Sequence, residues 1–122
     1  MADKILDTIK VAIGGSVIDT GFDENIILLI DGCLADLNQH EVGQSFIDVN
    51  GVQTPARLRK IPDMTWDQFF GGIYLSAQEE AIKYIFLKTK LMFDPPLPAT
   101  ITYYDKAASE AIWRARLEYD NT

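Results

Sequence analysis

The side chains that could do chemistry are few and poorly placed for it. His40 is the only histidine and Cys33 the only cysteine in the 122 residues. One imidazole and one thiol cannot fill a zinc site of the usual ligand number without carboxylates, and their spacing recruits none. Ser45 has no base at a recognisable distance in the chain. Gly14-Gly15 lacks the lysine and the spacing of a phosphate-binding loop. Asp36, Glu41, Glu79, Glu80 and Asp105 are carboxylates in polar or helical sequence. Such groups ordinarily form solvated faces, and a paired-carboxylate mechanism needs neighbours that only a structure can show. The residues therefore point away from an enzyme, and they call for no cofactor or metal. Cys33 lies among apolar residues and reads as a small core side chain; alone, it can form no internal disulfide. His40 reads as an exposed residue at a helix end.

Composition sets wider bounds. The length fits one domain spanning 1–122. The chain is 48% hydrophobic, enough for a real core. Eleven basic against eighteen acidic residues give a net charge of −7. An acidic surface repels backbone phosphates, which argues against general nucleic-acid or anionic-membrane binding. No apolar run reaches the roughly 18 residues of a membrane span. Met1-Ala2-Asp3-Lys4 leads straight into an amphipathic pattern, so no signal peptide is expected.

The elements that must position these residues are mostly helical. The central one is Ile73 to Pro96. Tyr74, Ala77, Ala81, Tyr84, Lys88 and Leu91 recur at spacings of three and four, with Ile73, Ile85 and Met92 beside them. Asp94-Pro95-Pro96 should stop this helix. Before it, Lys4 to Ile13 predicts a short helix with Ile5, Leu6, Ile9, Ala12 and Ile13 on one side, ended by Gly14-Gly15. Asp23 predicts the N-cap of a second helix reaching Gln39, with Phe22 and Ile27 as a hydrophobic staple and Gly43 as the C-terminal cap. Ile26 to Ile30 is apolar all round, so that end should be covered on more than one side. Thr65 and Gln68 have capping-box spacing, and Trp66, Phe69 and Phe70 should lie as a lid on the bundle. A last helix is expected from Pro98 to Tyr119, its stripe being Ile101, Tyr104, Ala108, Ala111, Ile112, Ala115 and Tyr119, with Glu110 and Arg114 paired on its surface. The short link from Phe93 to Leu97 makes the last two helices antiparallel neighbours. The fold class is all-α: a small bundle of four to five helices with a long, partly extended loop over about 43–64.

That loop is the irregular part. Phe46, Ile47 and Val49 suit a short strand, and Asn50-Gly51 is a hairpin-type turn with Val52 after it. Arg57, Arg59 and Lys60 form a local basic cluster in an acidic chain. A loop this long is either a working element or a solvated, mobile one. As a working element it would tolerate deletion of Gln53 to Lys60 with the fold intact, at the expense of assembly.

A resemblance adds to this reading. Leu87-Lys88-Thr89-Lys90-Leu91-Met92-Phe93-Asp94-Pro95-Pro96 resembles a segment, LKxxLxFDPP, of small head-tail connector proteins of tailed bacteriophages, also called head completion or DNA-packaging adaptor proteins. Thr20-Gly21-Phe22-Asp23-Glu24-Asn25-Ile26 is similar to that family's helix start. Leu37-Asn38-Gln39 with Val42-Gly43, Thr65-Trp66-Asp67-Gln68-Phe69, and Trp113-Arg114 with Leu117 resemble further segments in the family's order. The likeness runs from about Ile5 to Tyr119. Two departures stand out: Ile112 precedes Trp113 where the family has Glu, and His40-Glu41 replaces Leu-Gly.

What the resemblance implies is structural. The chain would be a virion protein, present in the host cytoplasm before assembly. It would form a homo-oligomeric ring, expected to be twelvefold, between the portal protein and a downstream neck or tail-completion protein. DNA would only pass through the channel. A ring protomer needs apolar surface beyond its own core, and Phe46, Trp66, Phe69, Phe70, Tyr103 and Tyr104, with the basic loop residues, are the candidate contacts. A different class of reading remains: a small cytosolic helical adaptor or regulatory protein acting as monomer or dimer.

Overall fold

The computed structural model describes residues 3–13, 21, 23–47, 50–93 and 97–120, with the backbone alone at 45–47, 92 and 93. The elements are α1 (Ile5–Ala12), α2 (Asp23–Gln39), β1 (Ser45–Ile47), β2 (Gln53–Pro55), α3 (Trp66–Phe70), α4 (Leu75–Phe93) and α5 (Pro98–Asp120). The fold is all-α, as the periodicity indicates, and the long loop carries a small hairpin. β1 and β2 pair antiparallel, Ser45 opposite Pro55 and Ile47 opposite Gln53. Val52 stays just outside β2, and Val49 lies outside the described residues. Pro55 closes the strand, where its missing N–H costs the ladder least.

α4 packs on α5, α2 and α1. Its buried side carries Ala77, Ala81, Tyr84 and Ile85, and α5 answers with Ala108, Ala111, Ile112 and Ala115. Short side chains on both faces let the two axes approach closely. The pair is antiparallel: Tyr74 at the start of α4 meets Tyr119 at the end of α5, ring centroids 4.7 Å apart. α4 starts at Leu75, not Ile73 as expected, and Ile73 is exposed. The reason is the exit from α3. Gly71 takes a left-handed φ of 78°, and the N–H groups of Gly71 and Gly72 both donate to the Asp67 carbonyl. The chain needs the next residues to turn before Tyr74 can accept the first bond of α4 from Gln78. Asp94-Pro95-Pro96, the expected stop, lies outside the described residues.

α3 begins with the capping box that Thr65 and Gln68 predict: Gln68 N donates to Thr65 Oγ1, and Thr65 N donates to Gln68 Oε1. α1 is held to this point by an antiparallel bridge between Lys4 and Thr65 and by Trp66 Nε1, which donates to Thr8 Oγ1 at 3.1 Å. Ile5 and Ile9 are buried, but Ala12, expected on the same face, is exposed. Lys10 is buried instead, its Nζ 2.7 Å from Asp23 Oδ1. A buried ammonium requires such a partner, and Asp23 supplies it as the first residue of α2. The staple with Phe22 and the stop at Gly14-Gly15 lie outside the described residues.

α2 ends differently from the expected cap at Gly43. Val42 N donates to Leu37 O and Glu41 N to Asn38 O, the paired bonds of a Schellman motif, with Glu41 at φ 65° in the left-handed position. Glu41 is held there by Arg116, whose Nη2 lies 2.9 Å from its carboxylate, while Val42 is fully buried beside it. Buried apolar side chains from all five helices, with Val42, Ala56, Leu58 and Met64, form one cluster.

Candidate functional site

The 56–64 part of the long loop is docked on the bundle. Its anchor is Asp31, buried on α2 at 4% exposure. One carboxylate oxygen accepts from Leu58 N at 2.6 Å; the other accepts from Arg59 N and Arg59 Nε, both at 3.2 Å. Arg57 Nη1 donates to Asn38 Oδ1 at 2.7 Å, about two turns further along α2. Ala56 and Leu58 sink completely into the core. The loop is therefore neither solvated as a whole nor dispensable. Deleting Gln53 to Lys60 would remove two core side chains and strip Asp31 of its donors, so the fold would not survive it, contrary to the expectation from sequence. The basic cluster is also divided: Arg57 and Arg59 turn to α2, and Lys60 is exposed.

The aromatic group is a core feature. Trp66 and Phe69 are fully buried and Phe70 is 1% exposed. Trp66 stacks near Phe70, Phe69 meets Phe70 edge-on, and Tyr119 donates to the Phe70 carbonyl at 3.0 Å. These rings cover the end of the bundle as a lid, and none of the three offers surface to a neighbour. Their apolar area is spent inside the chain, which corrects their candidacy as exposed contacts. Phe46 sits in β1 opposite Thr54. Leu87 is buried and Leu91 half-buried. Lys88 lies 6.0 Å from the Tyr84 ring centroid and 3.9 Å from Asp105. Phe93 is the last residue of α4; Phe22, Asp94, Pro95 and Pro96 lie outside the described residues.

Exposed apolar side chains include Val11, Val52, Ile73, Leu75 and Leu97, and several others are aligned on the outer side of α5. Tyr103, Trp113 and Leu117 are 68%, 61% and 39% exposed. With Lys106 and Glu110 they recur at intervals of three and four, on the side opposite the buried alanines. Tyr104 is half-buried, its ring 6.2 Å from that of Tyr103. Arg114 reaches Glu110 at 4.0 Å, the expected surface pair. A second apolar feature lies on the α2 side. Leu28, 56% exposed, lines a shallow groove with Glu24, Ile27, Leu58, Arg59 and Pro62. The start of α2 is thus covered on fewer sides than its sequence suggests. Sequence reasoning missed Asp31, Lys10 and the stripe through Trp113; the stripe alone had a local signal, its helical spacing.

The polar groups near α2 and α4 are arranged for packing. Tyr84 OH donates to Asp36 Oδ2 at 2.7 Å. Burial, then that bond and the Asp36 charge, push the Tyr84 hydroxyl well above its ordinary range. Burial pushes the Cys33 thiol up to about 12, with Asp36 adding and Lys88 opposing. A thiol held protonated this firmly is no nucleophile. His40 Nδ1 lies 2.9 Å from the Asp36 carbonyl at the surface. Among the described residues no group of three or more His, Cys, Asp or Glu side chains could hold a metal ion, and no helix is long and apolar enough to cross a membrane.

Among the described residues, the outer side of α5 and the start of α2 both expose large apolar side chains. The family described as phage connector protein matches residues 5–122, and the chain belongs to that family. It is accordingly a structural phage protein, a component of the virion that meets other head and tail proteins. Neither a curated protein nor a solved structure matches the chain.

Proposed function

We propose that this chain is a single-domain protomer of a ring, twelvefold in the virion, lying between the portal protein and a neck or tail-completion protein. The ring extends the DNA channel and completes the head, and the chain contributes no catalysis. The observation that carries this reading is the connector-family match over nearly the whole length. The apolar faces at α5 and α2 support it, since a ring protomer needs contact surface that its own core does not consume. The net charge of −7 suits a conduit in which DNA slides without being held. Before assembly the protein resides in the host cytoplasm.

Light scattering on the purified chain over a wide concentration range tests the ring: a mass of about a dozen protomers, approached as concentration rises, is expected. A tight dimer whose mass does not change with concentration would count against it, because a closed twofold contact uses surface that the ring needs. Phage lacking the gene should accumulate heads without joined tails. Infectious particles in normal yield without the chain would end the connector reading.

A further inference from the structure

We propose that neighbouring copies of this chain meet head to tail, the outer face of α5 on one copy seating in the groove between α2 and the 58–62 turn of the next. The inference rests on the ring reading above and assigns that ring its two contact faces.

Single exposed apolar side chains are ordinary on a protein surface. A helix face that aligns Tyr103, Trp113 and Leu117 is different, because large aromatic side chains are the anchors of protein contacts. Nothing in α5's own packing needs them, since Ala108, Ala111, Ile112 and Ala115 face the core. The groove is the matching shape: a floor at Leu58, apolar walls at Ile27, Leu28 and Pro62, and one charge of each sign, Glu24 and Arg59.

Charge selects a second copy as the occupant. The α5 face carries Lys106, Glu110 and Arg114 in alternating sign around Trp113. A helix so marked can set Glu110 against Arg59 and a basic residue against Glu24 while Trp113 covers Leu28. Within the protomer, Glu110 and Arg114 are 4.0 Å apart and both 52% exposed, a weak surface pair that a new partner readily replaces. The Arg59 side chain is 64% exposed even while Nε bonds Asp31. The two faces belong to different helices, both packed on α4. A contact between them is heterologous, and every added copy presents a fresh ridge and a fresh groove.

Two variants of the full chain test this, Trp113→Glu and Leu28→Glu. Both positions are exposed, so circular dichroism should match the wild type. Self-association is then read by sedimentation velocity across concentration. Each variant alone should bind itself about thirtyfold more weakly than the wild type, the loss of one anchor. An equal mixture should recover dimers and nothing larger, because the intact ridge of Leu28→Glu fits the intact groove of Trp113→Glu and no further face is left. If both variants assemble like the wild type, the contact is overturned while the ring stands on other faces. If both fail and the mixture also fails, the two faces do not meet, and the contact is overturned. A wild type that is monomeric at every concentration overturns it too, and the ring reading then falls to the test in phage particles.

Discussion

Asp31 Oδ1 accepts the backbone N–H of Leu58 at 2.6 Å, across 27 positions of chain. This bond and the two that Arg59 makes to Oδ2 fix an irregular loop to a helix that the loop's own sequence does not mention. They also shape the wall of the α2 groove, since Leu58 and Arg59 line it.

Asp31→Ala should therefore destabilise the protein by about 2–3 kcal/mol, because a buried N–H and a guanidinium lose their acceptor together. Asp31→Asn keeps one acceptor and should lose less. Urea unfolding gives the magnitude, and hydrogen exchange at Leu58 and Arg59 should quicken in both variants. An unchanged midpoint for the alanine variant would mean that the loop is held by its apolar residues alone.

Gly43 has φ 89°, and a Cβ built there would lie 2.4 Å from the Phe69 ring. Gly43→Ala must bear both the left-handed backbone and the displacement of a buried ring, at a cost of at least about 2 kcal/mol. Gly51 has φ 78° with nothing within 4 Å of such a Cβ. Gly51→Ala should bear the backbone term alone, about 1–2 kcal/mol. Equal losses at the two sites would show that the Phe69 contact is not tight.

Stability should fall as the solution turns alkaline. Cys33 moves from an ordinary 9.0 to about 12, and Tyr84 and Tyr119 are also raised, burial being the main cause in each. Above the ordinary values the unfolded chain releases protons that the folded chain retains, so each unit of pH favours unfolding. Below them the contribution is fully present. Urea midpoints measured from about pH 7 to about pH 11 should decline, and Cys33→Ala should remove part of the slope. The Cys33 thiol should stay unreactive toward maleimide in the folded protein and label promptly in urea. Fast labelling of the native chain would contradict its burial.

Thr89 is fully buried in α4, and its Oγ1 has no hydrogen-bond partner among the described residues. Thr89→Val keeps the shape and removes the unpaired hydroxyl, so it should raise stability by about 1 kcal/mol. A loss of stability on thermal unfolding would show that the hydroxyl is satisfied in solution.

Much of the helical architecture is legible in the order of residues. Thr65 and Gln68 announce their capping box, the alanine stripe of α5 announces its buried side, and the short link after Phe93 announces the antiparallel pair. Each depends on residues within a few turns of one another, where backbone geometry is nearly fixed. The contact surface is less legible. Trp66, Phe69 and Phe70 look, as a string, like spare aromatic surface, yet the fold consumes all three. Trp113, by contrast, sits in a helix that has enough alanine to pack without it.

Residue order alone shows which segments are helical, which family the motifs resemble, and that no nucleophile and base stand at a workable spacing. Tertiary structure alone decided that Lys10 is buried on Asp23, that Glu41 is held by Arg116, and that Asp31 pins the loop. Those partners lie far apart in the chain, and periodicity carries no information about which distant polar group will meet a buried one. Glu41 and Arg116 pair at the surface; for Lys10 and Asp31, burial in the folded core removes water and makes a partner necessary.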